Sequence, residues 1–342
     1  MTQPEQPEQP GPEQEAVPAP ELEGGEWLQG GPVSIKGSGQ PLLVDFWDYT
    51  CMNCIRTLPY VAEWHRRYEQ HGLRVVGVHT PEFSFGRNAD HVRRAIESFE
   101  IPYAVVLDSD FAIWKAYENQ YWPAKYFVGA DGLIRARHFG EGGYGESEAF
   151  LQTLVAEQDG FSGNLPGVME PVRADDAPGA VCYRVTPELY CGYARGLIGN
   201  TGAIAPDRPM TYTDPGKHVE GTLYLEGDWM IASESLGRPF GAKQPSRMHL
   251  GYMAVDVNLV MHPPISGDAA KVRVLLDGAP IEGAAAGDDV VDGELTVDVP
   301  RMYSLVKGDD ADRHDLTLET EADGVAAFAF TFGSCVMPAP AE

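Results

Sequence analysis

Apolar residues recur with two different periods along this chain, and the change falls near residue 160. The run Leu42-Leu43-Val44-Asp45-Phe46-Trp47 predicts a strand in which Asp45 is the single charge. From residue 51 the spacing lengthens to three or four. Leu58, Val61, Trp64 or His65, and Tyr68 then share one face of a helix that His71-Gly72 ends. Residues 32–35, 73–78 and 103–107 predict strands. Residues 88–99 and 111–118 predict helices, with Val92, Ile96 and Phe99 turned inward. Strands at 125–129 and 133–139 are joined at Asp131-Gly132, a hairpin signal, and a helix over 147–157 closes the unit. Alternating strand and helix, then a hairpin, then a helix, gives an α/β fold with a mixed central sheet flanked by helices.

Residues 159–179 mix Gly, Pro and acidic residues without periodicity and predict a linker. Beyond it come short strands at 181–185, 220–226, 229–233, 253–260, 272–276, 295–299, 314–319 and 325–332. Gly227-Asp228 predicts a tight hairpin between two of them. Such strands, separated by Gly and Pro turns, indicate an all-β sandwich of jelly-roll type. The first 24 residues are rich in Pro, Glu and Gln and predict a disordered tail. The expected order is therefore tail 1–24, first domain 25–158, linker 159–179, β-sandwich 180–335 and tail 336–342.

The length of 342 residues suits two domains, and 43% hydrophobic content suffices for both cores. No window approaches the ~18 continuous apolar residues of a membrane span, so no membrane segment is expected. The start, Met-Thr-Gln-Pro-Glu-Gln-Pro, lacks the basic and apolar regions of a secretory signal, which favours the cytoplasm. A formal charge of −26 argues against nucleic acid or anionic membrane as partners.

Chemistry enters at Cys51-Met52-Asn53-Cys54, a CxxC pair placed where a strand gives way to a helix. The thiolate is the attacking species, and a helix N-terminus stabilises a nearby negative charge. One cysteine attacks a disulfide and the other resolves the mixed disulfide. Cys51, at the tip, is the expected nucleophile, and Cys54, one turn in, the resolving thiol. The alternative is half a zinc site, which requires a second ligand pair. There is no second CxxC, and Cys182, Cys191 and Cys335 lie more than a hundred residues on. Of these, Cys182 and Cys191 are the candidate bridge, with two small buried thiols as the alternative, and Cys335 reads as a free tail thiol. Asp45, set in an apolar strand, is costly to bury charged, and its pKa should rise. That makes it a candidate proton acceptor for Cys54.

The first domain resembles thioredoxin over about residues 24–158. Asp45 stands six residues before Cys51, Pro59 five after Cys54, and Tyr121-Trp122-Pro123-Ala124-Lys125 precedes a strand, as in that family. A closer resemblance is to the TlpA-like branch and the soluble part of DipZ-type thiol reductases. It rests on Phe46-Trp47-Asp48-Tyr49-Thr50-Cys51-Met52-Asn53-Cys54 and on Val78-His79-Thr80-Pro81-Glu82-Phe83. Those proteins carry a C-terminal sandwich similar to carbohydrate-binding modules. Thr186-Pro187-Glu188-Leu189-Tyr190, Pro300-Arg301-Met302-Tyr303 and Ala329-Phe330-Thr331-Phe332-Gly333 resemble its markers. Those relatives also have a membrane electron-transfer domain or an export route, which sets an extracytoplasmic location against the cytoplasmic one.

The resemblance implies a thiol-disulfide oxidoreductase without a dissociable cofactor, its redox group being the Cys51–Cys54 disulfide. It implies a protein or small-molecule disulfide or thiol substrate, an external electron donor, and a glycan or protein ligand for the sandwich. It implies a cis Pro123 facing the dithiol, with the Trp122 backbone offered to an extended peptide. Trp47, Tyr49, Phe83 and Trp122 are candidates for an apolar substrate rim, core being the competing place for aromatics. Glu82 is a loop acid that either tunes the thiols or is merely solvated. His65 and His71 read as ordinary helix residues. Trp229, Tyr252 and Tyr303 either line a binding face of the sandwich or fill its core. Two other functions compete. One is a thiol peroxidase of the redoxin group, although no Pro precedes Cys51 in the expected frame. The other is a non-catalytic binding module on a thioredoxin scaffold.

Overall fold

The computed structural model describes residues 17–337, and the chain divides into two compact units, Met1–Asp176 and Ala177–Glu342. The expectations for residues 1–16 and 338–342 lie outside the described residues.

The first unit is built on a sheet of β1 (Val17–Pro18), β2 (Glu26–Gln29), β3 (Leu42–Trp47), β4 (Arg74–His79), β5 (Ala104–Leu107), β6 (Ala124–Val128) and β7 (Leu133–Phe139). The strand order is β1-β7-β6-β3-β4-β5-β2. β3, β4 and β5 run parallel, whereas β6 pairs antiparallel with both β3 and β7. All six residues of β3 are buried, which suits a central strand covered on both faces. Its alternate side chains enter different layers. Leu43 and Trp47 join residues of α1 (Met52–Tyr68), α2 (Ala89–Ser98) and α4 (Tyr144–Ala156). Val44 and Phe46 join Val76, Val78, Tyr126 and, from α3 (Ala112–Ala116), Ile113.

Three sequence expectations change here. Residues 17–24 are ordered, not a tail: Val17 and Pro18 pair with Ile134 and Leu133, and Ala19 and Leu22 are buried over the second layer. Two small apolar contacts in a polar stretch escape a compositional reading, yet they cover a sheet face. Residues 32–35 form no strand. Val33 and Ile35 are buried, but the Ile35 and Lys36 N–H groups donate to the Glu21 carboxylate at 3.0 and 2.8 Å. The expected linker packs onto the first unit as far as Asp176. Phe161, Leu165 and Met169 lie against its core, and the Met169 N–H donates to buried Glu148 at 2.8 Å. The Tyr60 hydroxyl accepts from the Val172 and Arg173 N–H groups and donates to Asp176 at 2.7 Å.

The second unit is a sandwich-like barrel of antiparallel strands around one large apolar core. Its first strands are β8 (Val181–Cys182), β9 (Leu189–Tyr190), β10 (Pro209–Tyr212), β11 (Leu223–Ile231), β12 (Leu236–Gly237), β13 (Ser246–Ala254), β14 (Asp256–His262) and β15 (Ala270–Leu276). One layer joins β15, Asp312–Thr320, β13 and the first half of β11; the other joins β12, Ala326–Gly333, β14 and Arg301–Val306.

The hairpin expected at Gly227-Asp228 is absent, because β11 runs straight through it. Residues 223–226 pair with β13 and residues 227–230 with β10, so the strand crosses between layers. Gly227 makes the crossing at φ +82°, where a Cβ would collide with the Pro245 carbonyl oxygen. The single strand expected over 253–260 is instead the end of β13 and most of β14, divided at Val255. Trp229, Tyr252 and Tyr303 are core residues, not a binding face.

The cysteines also pair differently from the candidate bridge. β8 lies antiparallel to Cys335–Val336 with Cys182 opposite Cys335, and these two form the disulfide. Cys191 is buried and unpaired. Strand register brings together residues 153 apart, whereas the nearer cysteine sits in the core. Non-reducing peptide mapping should therefore recover a Cys182–Cys335 peptide pair. Cys182→Ala should lower the unfolding free energy by about 2–4 kcal/mol in urea titrations of the oxidised protein.

Candidate active site

The chain leaves β3 at Trp47 and turns sharply before α1. Asp48 makes that turn: its Oδ1 accepts the Thr50 N–H at 2.7 Å and the Thr50 hydroxyl, and its carbonyl accepts the Cys51 N–H at 3.2 Å. Cys51 then becomes the N-cap of α1, with its Sγ accepting the Cys54 N–H at 3.2 Å. No acidic residue lies in the first turn, so a thiolate at Cys51 has the positive end of the helix to itself. Cys51 is half-buried and Cys54 fully buried, and their sulfurs are bonded, with Cα atoms 5.2 Å apart.

Asp45 points to the same side of β3 as Leu43 and Trp47, the layer that contains Cys54. It is fully buried, and neither carboxylate oxygen has a hydrogen-bond partner among the described residues. Burial raises its pKa from 3.8 to about 7, against the pull of Lys125. Lys125 is directly opposite Asp45 in the β3–β6 ladder and equally buried, and its Nζ donates to the Gly140 carbonyl at 3.2 Å. Burial brings the Lys125 ammonium down to about 8, against the pull of Asp45.

A second buried polar pair lies at the neck of the helix. His79 ends β4, is fully buried, and is held down to about 3 by desolvation. Its Nε2 accepts the Tyr49 N–H at 3.3 Å and lies 3.5 Å from Asp48 Oδ2. Tyr49 stacks on the imidazole and Trp47 meets it edge-on. Burial raises the Asp48 pKa, against hydrogen bonds from Thr50 and Glu82. Trp47, Tyr49 and Phe83 are thus buried and form no rim. Trp47 and Tyr49 enclose the His79 ring, and Phe83 stacks on Phe85. Glu82 is half-buried, and its N–H donates to Asp48 Oδ2 at 3.0 Å.

Trp122 stays half-exposed, anchored by a 3.0 Å hydrogen bond from its indole N–H to the Thr80 carbonyl. The Trp122–Pro123 peptide is cis. Cys51 and Trp122 both pack at the margin of the core that contains Cys54. Tyr121, next to Trp122 in the chain, is 54% exposed, with its ring 5.2 Å from that of Phe139, itself 39% exposed.

Residues 15–137 match the AhpC/TSA family, and residues 186–333 match a thioredoxin-like C-terminal domain family. The thiol-disulfide oxidoreductase YkuV of Bacillus subtilis is 34% identical over 146 residues, 42% of this chain and 97% of YkuV. This chain belongs to the thioredoxin-like thiol-disulfide oxidoreductases. The protein DipZ of Mycobacterium bovis is 30% identical over 324 residues, 92% of this chain, and the match spans 43% of DipZ. A solution structure of a thioredoxin-like protein in the oxidized form is 30% identical, with a TM-score of 0.38, covering 42% of this chain and 98% of that one.

The sequence assigned no role to Lys125, opposite Asp45, to Asp48 and His79 at the turn before the helix, or to Tyr121 and Phe139 on the surface. Lys125 had a readable signal, since it is the one charge in the apolar strand Ala124–Val128, as Asp45 is in β3. His79 likewise closes an apolar strand. Tyr121 and Phe139 had none, because exposure of an aromatic depends on packing.

The raised pKa of Asp45 fixes the sign of a stability test. The folded state prefers the protonated acid, so its contribution is complete below 3.8 and lost as pH rises through about 7. Relative to the Asp45→Asn variant, the unsubstituted protein should lose unfolding free energy across that interval, measured by urea titration at successive pH values.

Proposed function

We propose that this chain exchanges disulfides through Cys51 and Cys54, with Asp45 carrying the proton. The observation that supports this most directly is a half-buried sulfur capping an acid-free helix start, bonded to a buried sulfur one turn inside. In the reducing direction the Cys51 thiolate attacks a substrate disulfide, forms a mixed disulfide and releases one substrate thiolate. The Cys54 thiol passes its proton to Asp45, and its thiolate attacks Cys51 Sγ. That closes Cys51–Cys54 and releases the second substrate thiolate. An external dithiol donor returns two electrons. The reverse sequence oxidises a substrate dithiol. The Cys51–Cys54 pair is itself the redox group of this cycle, which requires no dissociable cofactor.

The substrate side of this reading rests on Trp122, Tyr121 and Phe139, an exposed apolar surface beside the cis-Pro123 loop, suited to an extended protein segment. A glycan or protein ligand for the second unit gains no support from Trp229, Tyr252 and Tyr303, all of them core. The Cys182–Cys335 bridge favours an oxidising compartment over the cytoplasm. The peroxidase alternative lacks its proline frame, and the Thr50 hydroxyl beside Cys51 is engaged by Asp48.

Cys51→Ser should abolish reduction of insulin disulfides. Cys54→Ser should instead accumulate a mixed disulfide on Cys51, visible by mass spectrometry. Wild-type turnover by Cys51→Ser would refute the proposal.

Tyr121→Ala combined with Phe139→Ala should raise KM for a protein disulfide by about tenfold, the loss of two exposed aromatic contacts. It should leave the reaction with a small aromatic disulfide within about twofold. Equal effects on both substrates would remove these residues from the docking surface.

A further inference from the structure

The second unit holds a cluster of ligating side chains remote in sequence from the dithiol. Asp214 and His218 lie on the loop between β10 and β11, and His249 lies in β13. One ligand atom from each lies within 4.8 Å of the other two. His249 sits between Tyr224 and Thr317 across its neighbouring strands. The His218 ring stacks on it at 5.0 Å and 15°.

The hydrogen bonds around the cluster leave it acceptor-rich. His249 Nδ1 is engaged by the Thr317 hydroxyl at 2.9 Å, which fixes the ring and leaves Nε2 as the remaining atom. His249 is 9% exposed, and Nε2 has no hydrogen-bond partner among the described residues. Glu226 Oε2 stands 3.5 Å from it, and Glu226 is shared with Arg247 at 3.1 Å. Asp214 Oδ1 is 2.9 Å from His218 Nε2 and accepts the Gly216 N–H at 3.0 Å. Asp315 Oδ1 lies 3.9 Å from His218 Nδ1. Three carboxylates thus surround two imidazoles, one of which presents a buried, unengaged nitrogen.

The geometry points to a divalent transition-metal site, of the class filled by Zn²⁺, formed by Asp214, His218 and His249. Two imidazoles and one carboxylate are a borderline donor set that suits zinc better than calcium or magnesium. Zinc bonds of about 2.0–2.1 Å at tetrahedral angles set ligand atoms about 3.3 Å apart. From a separation within 4.8 Å, the loop bearing Asp214 and His218 therefore has to close by at most about 1.5 Å onto β13. Glu226 or water completes the shell, and Thr317 orients His249 as outer-shell partners do. The metal ties a loop to a central strand, which is a structural role. An Asp214–His218 pair without metal accounts for the loop but leaves His249 Nε2 buried, with Glu226 Oε2 3.5 Å away and no hydrogen bond.

The test uses the full chain with both disulfides closed, so that Cys51 and Cys54 take no metal. After treatment with EDTA, Zn²⁺ is titrated by calorimetry and by competition with a chromophoric chelator. One zinc should bind per chain and raise the unfolding temperature of the second unit. His218→Ala and Asp214→Asn, both on a surface loop, should each weaken binding by about tenfold or more and remove the thermal shift. Absence of saturable binding overturns the proposal, as does binding unchanged in both variants.

Discussion

Strand β3 is hydrogen-bonded on both edges and covered on both faces, and the chemistry of the first unit hangs from it. A strand so confined gives its C-terminal end a fixed position and direction. The turn at Asp48 converts that direction into a helix axis, and the axis begins at Cys51. The same confinement denies Asp45 any route to water. A sulfur at a helix tip and a buried acid are two consequences of one buried strand.

Magnitudes separate the influences on the dithiol. A helix N-terminus stabilises a nearby anion by about 0.3–1 kcal/mol when exposed and up to ~2 kcal/mol when partly buried. Raising Asp45 from 3.8 to about 7 corresponds to about 4 kcal/mol between its two protonation states. Desolvation is thus the larger effect, and it acts on Asp45 more than on half-buried Cys51. Lys125 moderates it from across the ladder. Its own ammonium is destabilised by the same burial, so each charge is tolerable only because the other is there. The Asp48–His79 pair works differently: with His79 held neutral, it is a hydrogen-bonded brace for the turn.

What was legible in the sequence followed from local periodicity. The change from strand spacing before Trp47 to helical spacing after Cys51 placed the dithiol at a helix start. The lone charge in Leu42–Trp47 marked Asp45. What escaped depended on partners distant in the chain. Residues 17–24 and 159–176 have little pattern of their own and are ordered by faces and hydroxyls of the first unit, such as the sheet above β7 and Tyr60. Gly227-Asp228 has the composition of a hairpin but occupies a strand that changes sheets, because the register on each side is set by β13 and β10. The Cys182–Cys335 pairing is a fact of register as well. Trp47 and Tyr49 are core and not rim because they pack on the buried His79 ring, a partner 30 residues or more away in the chain.

The two disulfides respond differently to a common redox environment. Cys182–Cys335 closes a loop of 153 residues between paired strands, so opening it releases much chain entropy only if the unit also unfolds. Within the folded unit the sulfurs remain opposite each other and re-form the bond readily. Cys51–Cys54 spans three residues and gains almost nothing from loop closure. Its reduced form is instead favoured by the helix N-terminus, which stabilises a thiolate at Cys51. A reductant only just strong enough to open the helix-tip bond should therefore leave the strand-to-strand bond closed.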